Sequence, residues 1–409
     1  MVAIVKTLTL LTLNTLILML LFSGCWSQKE VNHLALVSAI GVDRSGSGNH
    51  ITVQIIKPSK RSGQSGGREG NNQKFLVVES NGKTIKQALD NMYLSRQIFL
   101  GHNSIIILGK EMARAGIGDV LEWASRTSQI RRTTYLAVAD GEARDILEAR
   151  MNLADIPSLG MRDLLQQKTS ASKTLPVQLK DFLKVYLSET SQATVPLFTL
   201  EKIPENTEVW GVRQNGETLE NGESSENGKP KYIKSVKYSG TAVFRRDKLV
   251  SLFTPEETRG ILWLKEKIAH SSININSLAG KKGNASFAIL ESSSRTKAIY
   301  EGGKHAIKVE IDAAFVLAEN LFNINLSPVV ITRLEEELNK AVANDIRHTV
   351  CRAQQLNCDI FGFGEVIHRN FPEQWPQIKK NWDVLFPKLS VRIQVRSHIR
   401  RRGITTEHP

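Results

Sequence analysis

The sequence predicts a mixed α+β protein, built from α/β layers and divided into three soluble domains behind an apolar leader. Three observations lead there. The chain has 409 residues, more than one ordinary hydrophobic core organises. Apolar runs of strand length alternate with segments of helical spacing through the first half. Two polar, Gly-containing stretches, residues 204–230 and 279–283, interrupt the pattern. The division that follows is 1–24 as leader, 25–200 as an N-terminal α/β domain, 201–280 as a small middle α+β domain, and 281–409 as a C-terminal α+β domain with a long helix.

The leader has two readings. Residues 7–23, TLTLLTLNTLILMLLFS, carry no charge and follow the lone Lys6. A retained signal-anchor helix is one reading, although these seventeen residues fall short of the ~20 that span a bilayer core. A cleaved secretory signal is the other. The run ends in Phe22-Ser23-Gly24-Cys25, which resembles the lipobox of bacterial lipoproteins, with Phe22 where Leu is usual. In that chemistry a nucleophilic thiol accepts the lipid and the chain is cut before it. Cys25 is therefore the candidate lipidation site. Two acyl chains hold a protein on a membrane where one is marginal. The body is then expected outside the cytoplasmic membrane, which makes nucleic acid an unsuitable partner. The net charge of +13 turns attention to the anionic membrane instead.

Each element has its own signal. Residues 34–42 and 51–57 are strand runs around the turn chemistry of Asp43 to Asn49, a hairpin. FLVVES is a third strand, and Ile85, Ala88, Leu89 and Met92 share a helix face. SIIIL at 104–108 is a fully apolar strand, followed by a helix to about Ala124, the strand TTYLAVA at 133–139 and a helix from Glu142. Residues 156–190 read as helical with a break at Pro176, and 193–201 as a strand. IKSVKYSGTAVFRRDKLVSLF makes two strands around Arg246-Asp247. Thr254, Pro255 and Glu257 then start a helix with a capping box, carrying Ile261, Leu262, Leu264 and Ile268. Two long antiparallel strands flank Glu301-Gly302-Gly303. Ser327-Pro328 opens the longest helix, with Ile331, Leu334, Leu338, Val342, Ile346 and Val350 on one face. In the closing strand, 391–400, Val391, Ile393, Val395 and Ile399 point one way. Arg392, Arg396, His398 and Arg400 point the other. That basic face reads first as a solvated one, and second as a surface for lipid headgroups or an acidic partner.

A search for chemistry yields no catalytic set, metal-ligand set or cofactor cradle, so the expectation is a non-enzymatic protein without cofactors. Gly63-Gln64-Ser65-Gly66-Gly67 matches the G-x-S-x-G pattern but lacks the following helix. Gly82-Lys83-Thr84 resembles a P-loop tail, but Val77 stands where its first glycine belongs. The nine histidines are scattered. Glu335-Glu336-Glu337 reads as a solvated helix face with Glu336 and Lys340 paired. Cys351 and Cys358 are expected as free thiols, seven residues apart and about 10 Å along a helix.

Four stretches together carry a resemblance: GCW at 24–26, GHNSIIILGKEMARAGI at 101–117, FRRDKLVSLFTPEETRGILWL at 244–264, and CDIFGFGEVIHRNFPEQWPQIKKNW at 358–382. They resemble the Ger(x)C lipoproteins, the C subunits of spore germinant receptors. Ser27 stands where family members often carry Asp. The resemblance implies three mixed α/β domains behind a lipid anchor on the outer face of the spore inner membrane. It implies A-type and B-type integral membrane subunits as partners, and a complex that answers small nutrient germinants. Only Cys25 transfers as a functional residue. Phe361, Phe363, Trp375 and Trp382 are expected as core aromatics rather than a ligand box. A solute-binding lipoprotein of a transporter is the alternative function, and it calls for two similar lobes around a cleft. A wall-acting enzyme is a third.

Overall fold

The computed structural model describes residues 2–22, 35–46, 48–57, 74–94, 98–151, 154–166, 174–204, 232–265, 268, 271–278, 281–320 and 327–401. Helix α1 (Val2–Phe22) is 21 residues long. Its Ile4, Leu8, Leu10 and Leu11 are all more than 60% exposed. At 1.5 Å per residue it rises about 31 Å, roughly the thickness of a hydrocarbon core. Length therefore does not separate the two readings of the leader. Among the described residues, no helix is long and apolar enough to cross a membrane.

The first sheet is built from strands of both directions. β1 (Ala35–Ser45), β2 (Gly48–Ile56) and β3 (Phe75–Gly82) form an antiparallel meander. Helix α2 (Ile85–Tyr93) follows, capped by Thr84, whose Oγ1 accepts from the Gln87 amide at 3.1 Å. β4 (Ile98–Phe99) is a short strand beside β1. β5 (Ile105–Leu108), β6 (Tyr135–Ala139) and β7 (Thr194–Pro204) then add in parallel beyond β1. The crossovers between them carry α3 (Lys110–Ala115), α4 (Gly118–Arg126), α5 (Ala143–Glu148), α6 (Pro157–Gln166) and α7 (Leu179–Tyr186). The single helix expected before Ala124 is two, because Gly116 at φ 124 ends α3. β8 (Tyr232–Arg245) and β9 (Lys248–Phe253) extend the sheet antiparallel, giving the order β3-β2-β1-β5-β6-β7-β8-β9. Strands from both sides of residue 200 thus pair within one sheet, β7 with β8.

Both faces of this sheet are covered. Ile40, Val42, Ile106 and Leu108 point into the core shared with α2, α3, α4 and α7. Ala39, Ile105 and Ile107 point the other way, against α5 and α6. Parallel strands buried on both faces read as continuous apolar runs, and IIIL and YLAVA are such runs.

Helix α8 (Pro255–Leu264) leads to the second sheet. Ile268 is buried but lies beyond the helix end. β10 (Ser272–Leu278), which its polar sequence conceals, pairs with β11 (Lys281–Glu301). The expected break at 279–283 is thus shorter, since Lys281 already lies in β11. β12 (Lys304–Asn320) returns antiparallel through Gly302 and Gly303, both at positive φ. Helix α9 (Pro328–Gln355) is capped by Ser327 and buries Leu334, Leu338, Val342, Ile346 and Val350 against the sheet core. α10 (Phe363–Asn370), α11 (Trp375–Lys380) and α12 (Trp382–Leu385) precede β13 (Ser390–Arg401), which runs parallel to β12. The four-stranded order is β10-β11-β12-β13. One hydrophobic core runs unbroken from the first sheet through α8 and α9 into the second.

Candidate functional site: the joints between the two sheets

Two of the conspicuous words of the sequence fold into places where the two sheets are locked together, and a third holds the first sheet to its own helices and turns. In ETRGILWL, Glu257 completes the capping box, its Oε2 accepting from the Thr254 amide at 2.8 Å. Arg259 makes a two-pronged pair with Asp345 of α9: Nε donates to Oδ2 at 2.7 Å and Nη2 to Oδ1 at 3.0 Å. Gly260 lets α8 lie on α9. A Cβ there would sit 2.0 Å from Thr349 Oγ1 and 2.7 Å from the Asp345 carbonyl. The Thr349 hydroxyl in turn reaches the Glu257 carbonyl at 3.1 Å, so helix α9 is tied to α8 by polar as well as apolar contact.

The word CDIFGFGE makes the second joint. Asp359 is 1% exposed. Its carboxylate accepts from the amides of Phe363 at 3.0 Å and Gly364 at 2.9 Å, the start of α10. Its own carbonyl accepts from the Gln192 amide at 2.9 Å, on the segment between α7 and β7. That segment is gripped further. Ser188 donates to Glu365 at 3.0 Å, and Lys379 pairs with Glu189. Gly364 has no room for a side chain, because a Cβ would lie 2.6 Å from Thr190 Oγ1. Burial pushes the Asp359 carboxyl up to about 6, against the lowering effect of the backbone amides. Gly362 at φ 74 turns the chain into α10.

The third word, GHNSIIILGKEMARAGI, surrounds a matching buried carboxylate. Asp43 lies within β1, not in the turn that its neighbours suggest. It accepts from the amides of Ala143 at 2.8 Å and Arg144 at 3.0 Å, at the start of α5. Gly109 packs directly on it, and burial raises its carboxyl above the usual value. The amide of Ile117 donates to the Asp247 carbonyl at 2.9 Å, linking α4 to the β8–β9 turn.

Other expected residues fall into place. Phe363, Trp375 and Trp382 are buried and Phe361 is half-buried, in the core cluster. Cys351 and Cys358 are unpaired. Glu335 is not simply solvated: its Oε1 accepts from the Ile399 amide at 2.9 Å. Lys340 pairs with Glu337 at 2.8 Å rather than with Glu336. Cys25 and the loop motif at 63–67 lie outside the described residues. A cleft of about 860 Å³ opens between α2 and α4, floored by Ile85, Leu89, Leu100 and Trp123. Its rim cations Lys86 and Arg126 are paired within their own helices, with Asp90 and Glu122. Among the described residues, no cluster of His, Cys, Asp and Glu is arranged to hold a metal.

Asp43, Asp359 and Asp345 were not singled out from the sequence. The available signal was an Asp before a Gly-rich helix start in DIFGFGE. For Asp43 and Asp345 the partners are far along the chain, so no local signal existed.

Known proteins resemble this chain in sequence and in fold. A family model described as the spore germination protein N-terminal domain matches residues 27–200. A second, described as spore germination B3/GerAC like, C-terminal, matches residues 239–403. The chain is similar to spore germination protein KC of Bacillus subtilis (strain 168), 27% identical over 406 residues, 97% of this chain and 96% of the relative. It is similar to putative spore germination protein YfkR of the same organism, 26% identical over 389 residues and 92% of each chain. In fold it resembles the crystal structure of the GerBC protein, with a TM-score of 0.55 at 19% identity, covering 91% of this chain and all of that one. The second joint and the Ile117–Asp247 bond hold segments of the two matched regions against each other, and the chain belongs to the GerAC-like family of spore germination proteins.

Proposed function

We propose that this chain is the lipid-anchored, non-enzymatic C subunit of a nutrient germinant receptor. It supports assembly or signalling of A-type and B-type integral membrane subunits. The observation that carries this reading is the full-length likeness to spore germination proteins. The conspicuous polar residues are spent on joints between the sheets, which suits a rigid scaffold. Cys25 holds it on the outer face of the spore inner membrane through a diacylglyceryl thioether, with the leader 1–24 removed. The body divides near residues 200 and 280. Because β7 and β8 pair across the first boundary, the fragments left by a protease site inserted between them should stay associated until denatured.

The test is Cys25→Ala beside wild type in a sporulating host, followed by membrane fractionation and nutrient-triggered germination. Release of the variant from the membrane with loss of germination supports the reading. A variant that stays membrane-bound, uncut and fully germinating overturns the lipid anchor. The transporter alternative called for two similar lobes. The two sheets differ in strand number and order, with only the first in the mixed αβ layering, which favours the receptor reading.

A further inference from the structure

Among the described residues, the second sheet has helices on one face only. α9 and α10 lie against the face of Ile307, Val309, Ile311 and Phe315. The opposite face is open, and the pairing register lines up Lys297 of β11, Lys308 of β12 and Arg392 of β13 in one row across three strands. At ~4.8 Å between strands, the row places three cations within about 10 Å. Like charges directly opposite one another weaken a sheet, so the fold itself gains nothing from this row. Arg295 is exposed on the same face, one cross-strand row away. Two acids lie close by: Glu310 pairs with Lys308 at 2.7 Å and Glu301 with Arg392 at 2.5 Å. The field of the patch is positive even so. It holds the Glu310 carboxyl below its usual value, through Lys308 first and also through Lys297 and Arg295.

We propose that this open cationic face docks on the anionic headgroups of the bilayer that the chain's N-terminus enters. Two observations select a bilayer over an acidic protein. Helix α1 is apolar and exposed, and on the proposed reading the leader it belongs to delivers the chain to a membrane. The face also lacks the desolvated apolar centre that protein interfaces carry: of the exposed large apolar side chains among the described residues, β12 and β13 hold none, and in β11 Tyr300 packs against Phe371 while Leu290 sits at the bulge beyond the cationic row. Cations attract anionic headgroups without such a centre, within a Debye length of the surface. Docking would fix which side of the body faces the lipid and which stays free for partners. The inference rests on the reading of the chain as membrane-held.

The experiment uses the full chain reconstituted into two sets of vesicles, phosphatidylcholine alone or with about one third phosphatidylglycerol. Flotation reports membrane attachment. Amine-reactive labelling, read by mass spectrometry, reports access to Lys297 and Lys308, with Lys86 and Lys340 as references away from this face. The expected result is flotation with both vesicles and labelling of Lys297 and Lys308 slowed about threefold or more in the anionic ones. The protection should vanish in about 0.5 M salt, and Lys308→Gln should weaken it at Lys297. Flotation with both vesicles and equal labelling overturns docking while leaving the anchor intact. That is also the result expected if the face belongs to an acidic protein. Flotation with neither vesicle overturns anchor and docking together.

Discussion

The two sheets solve burial differently. The first is sandwiched, with α2, α3, α4 and α7 on one face and α5 and α6 on the other. Its central strand β5 is buried at every position. Among the described residues, the second sheet is covered on one face only, and in β13 positions 392, 394, 396, 398 and 400 are all exposed. A strand enclosed on both sides has no tolerant position, whereas a strand with one open face has every second position to spare. The second sheet can therefore carry charge that stability does not require, and it is where the cationic row occurs.

Single substitutions would sharpen or break this contrast. Ile106→Asn and Ile107→Asn point to opposite faces of β5, and each should cost about 4 kcal/mol by cavity and unpaired amide. Urea denaturation that tolerated either one would show that a face of the first sheet is not packed. Gly260→Val should cost about 3 kcal/mol, since the new Cβ meets Thr349 and the Asp345 carbonyl. Its thermal unfolding should split into two steps if the α8–α9 joint couples the sheets.

The buried carboxylate of Asp359 gives a pH effect of known sign. Its value is raised from 3.8 to about 6 in the fold, by desolvation first. The associated stability is complete below 3.8 and is lost as pH rises through about 6, on the order of 3 kcal/mol in all. Asp43 is shifted the same way and adds to the trend. Asp359→Asn should flatten the stability profile over that window, and an unchanged slope would remove Asp359 as its source. Thr254→Ala, which deletes a cap at the joint, should cost about 1 kcal/mol in the same denaturation assay. Arg396→Gln, on the open face of β13, should stay within about 0.5 kcal/mol of wild type. Last, native-state thiol labelling should find Cys351 before Cys358, which is buried and whose thiol burial pushes up to about 11.

Legibility followed the same division of labour. Strands β5, β6, β12 and β13 and helices α2, α8 and α9 could be read directly, because each announces itself by local periodicity or by a cap within a few residues. Strand β10, SININSL, carries no such local signal, because four of its seven residues are polar and its pairing partner holds it in the sheet. The separate helices α3 and α4 were fused, because only the positive φ of Gly116 divides them. Glu335 was read as solvated because its partner, the Ile399 amide, lies on a strand 64 residues away.

By itself the sequence determined the mixed α+β class, the helix caps, the amphipathic face of α9 and the alternation of β13, and through its long words the family. These depend on contacts within a turn of helix or along one strand. Only the tertiary structure decided that β7, β8 and β9 complete the first sheet and that Asp43 and Asp359 each cap a helix from inside the core. It alone set three cations from three strands in one row. Such features arise from strand register and from packing between distant segments, which local spacing does not encode.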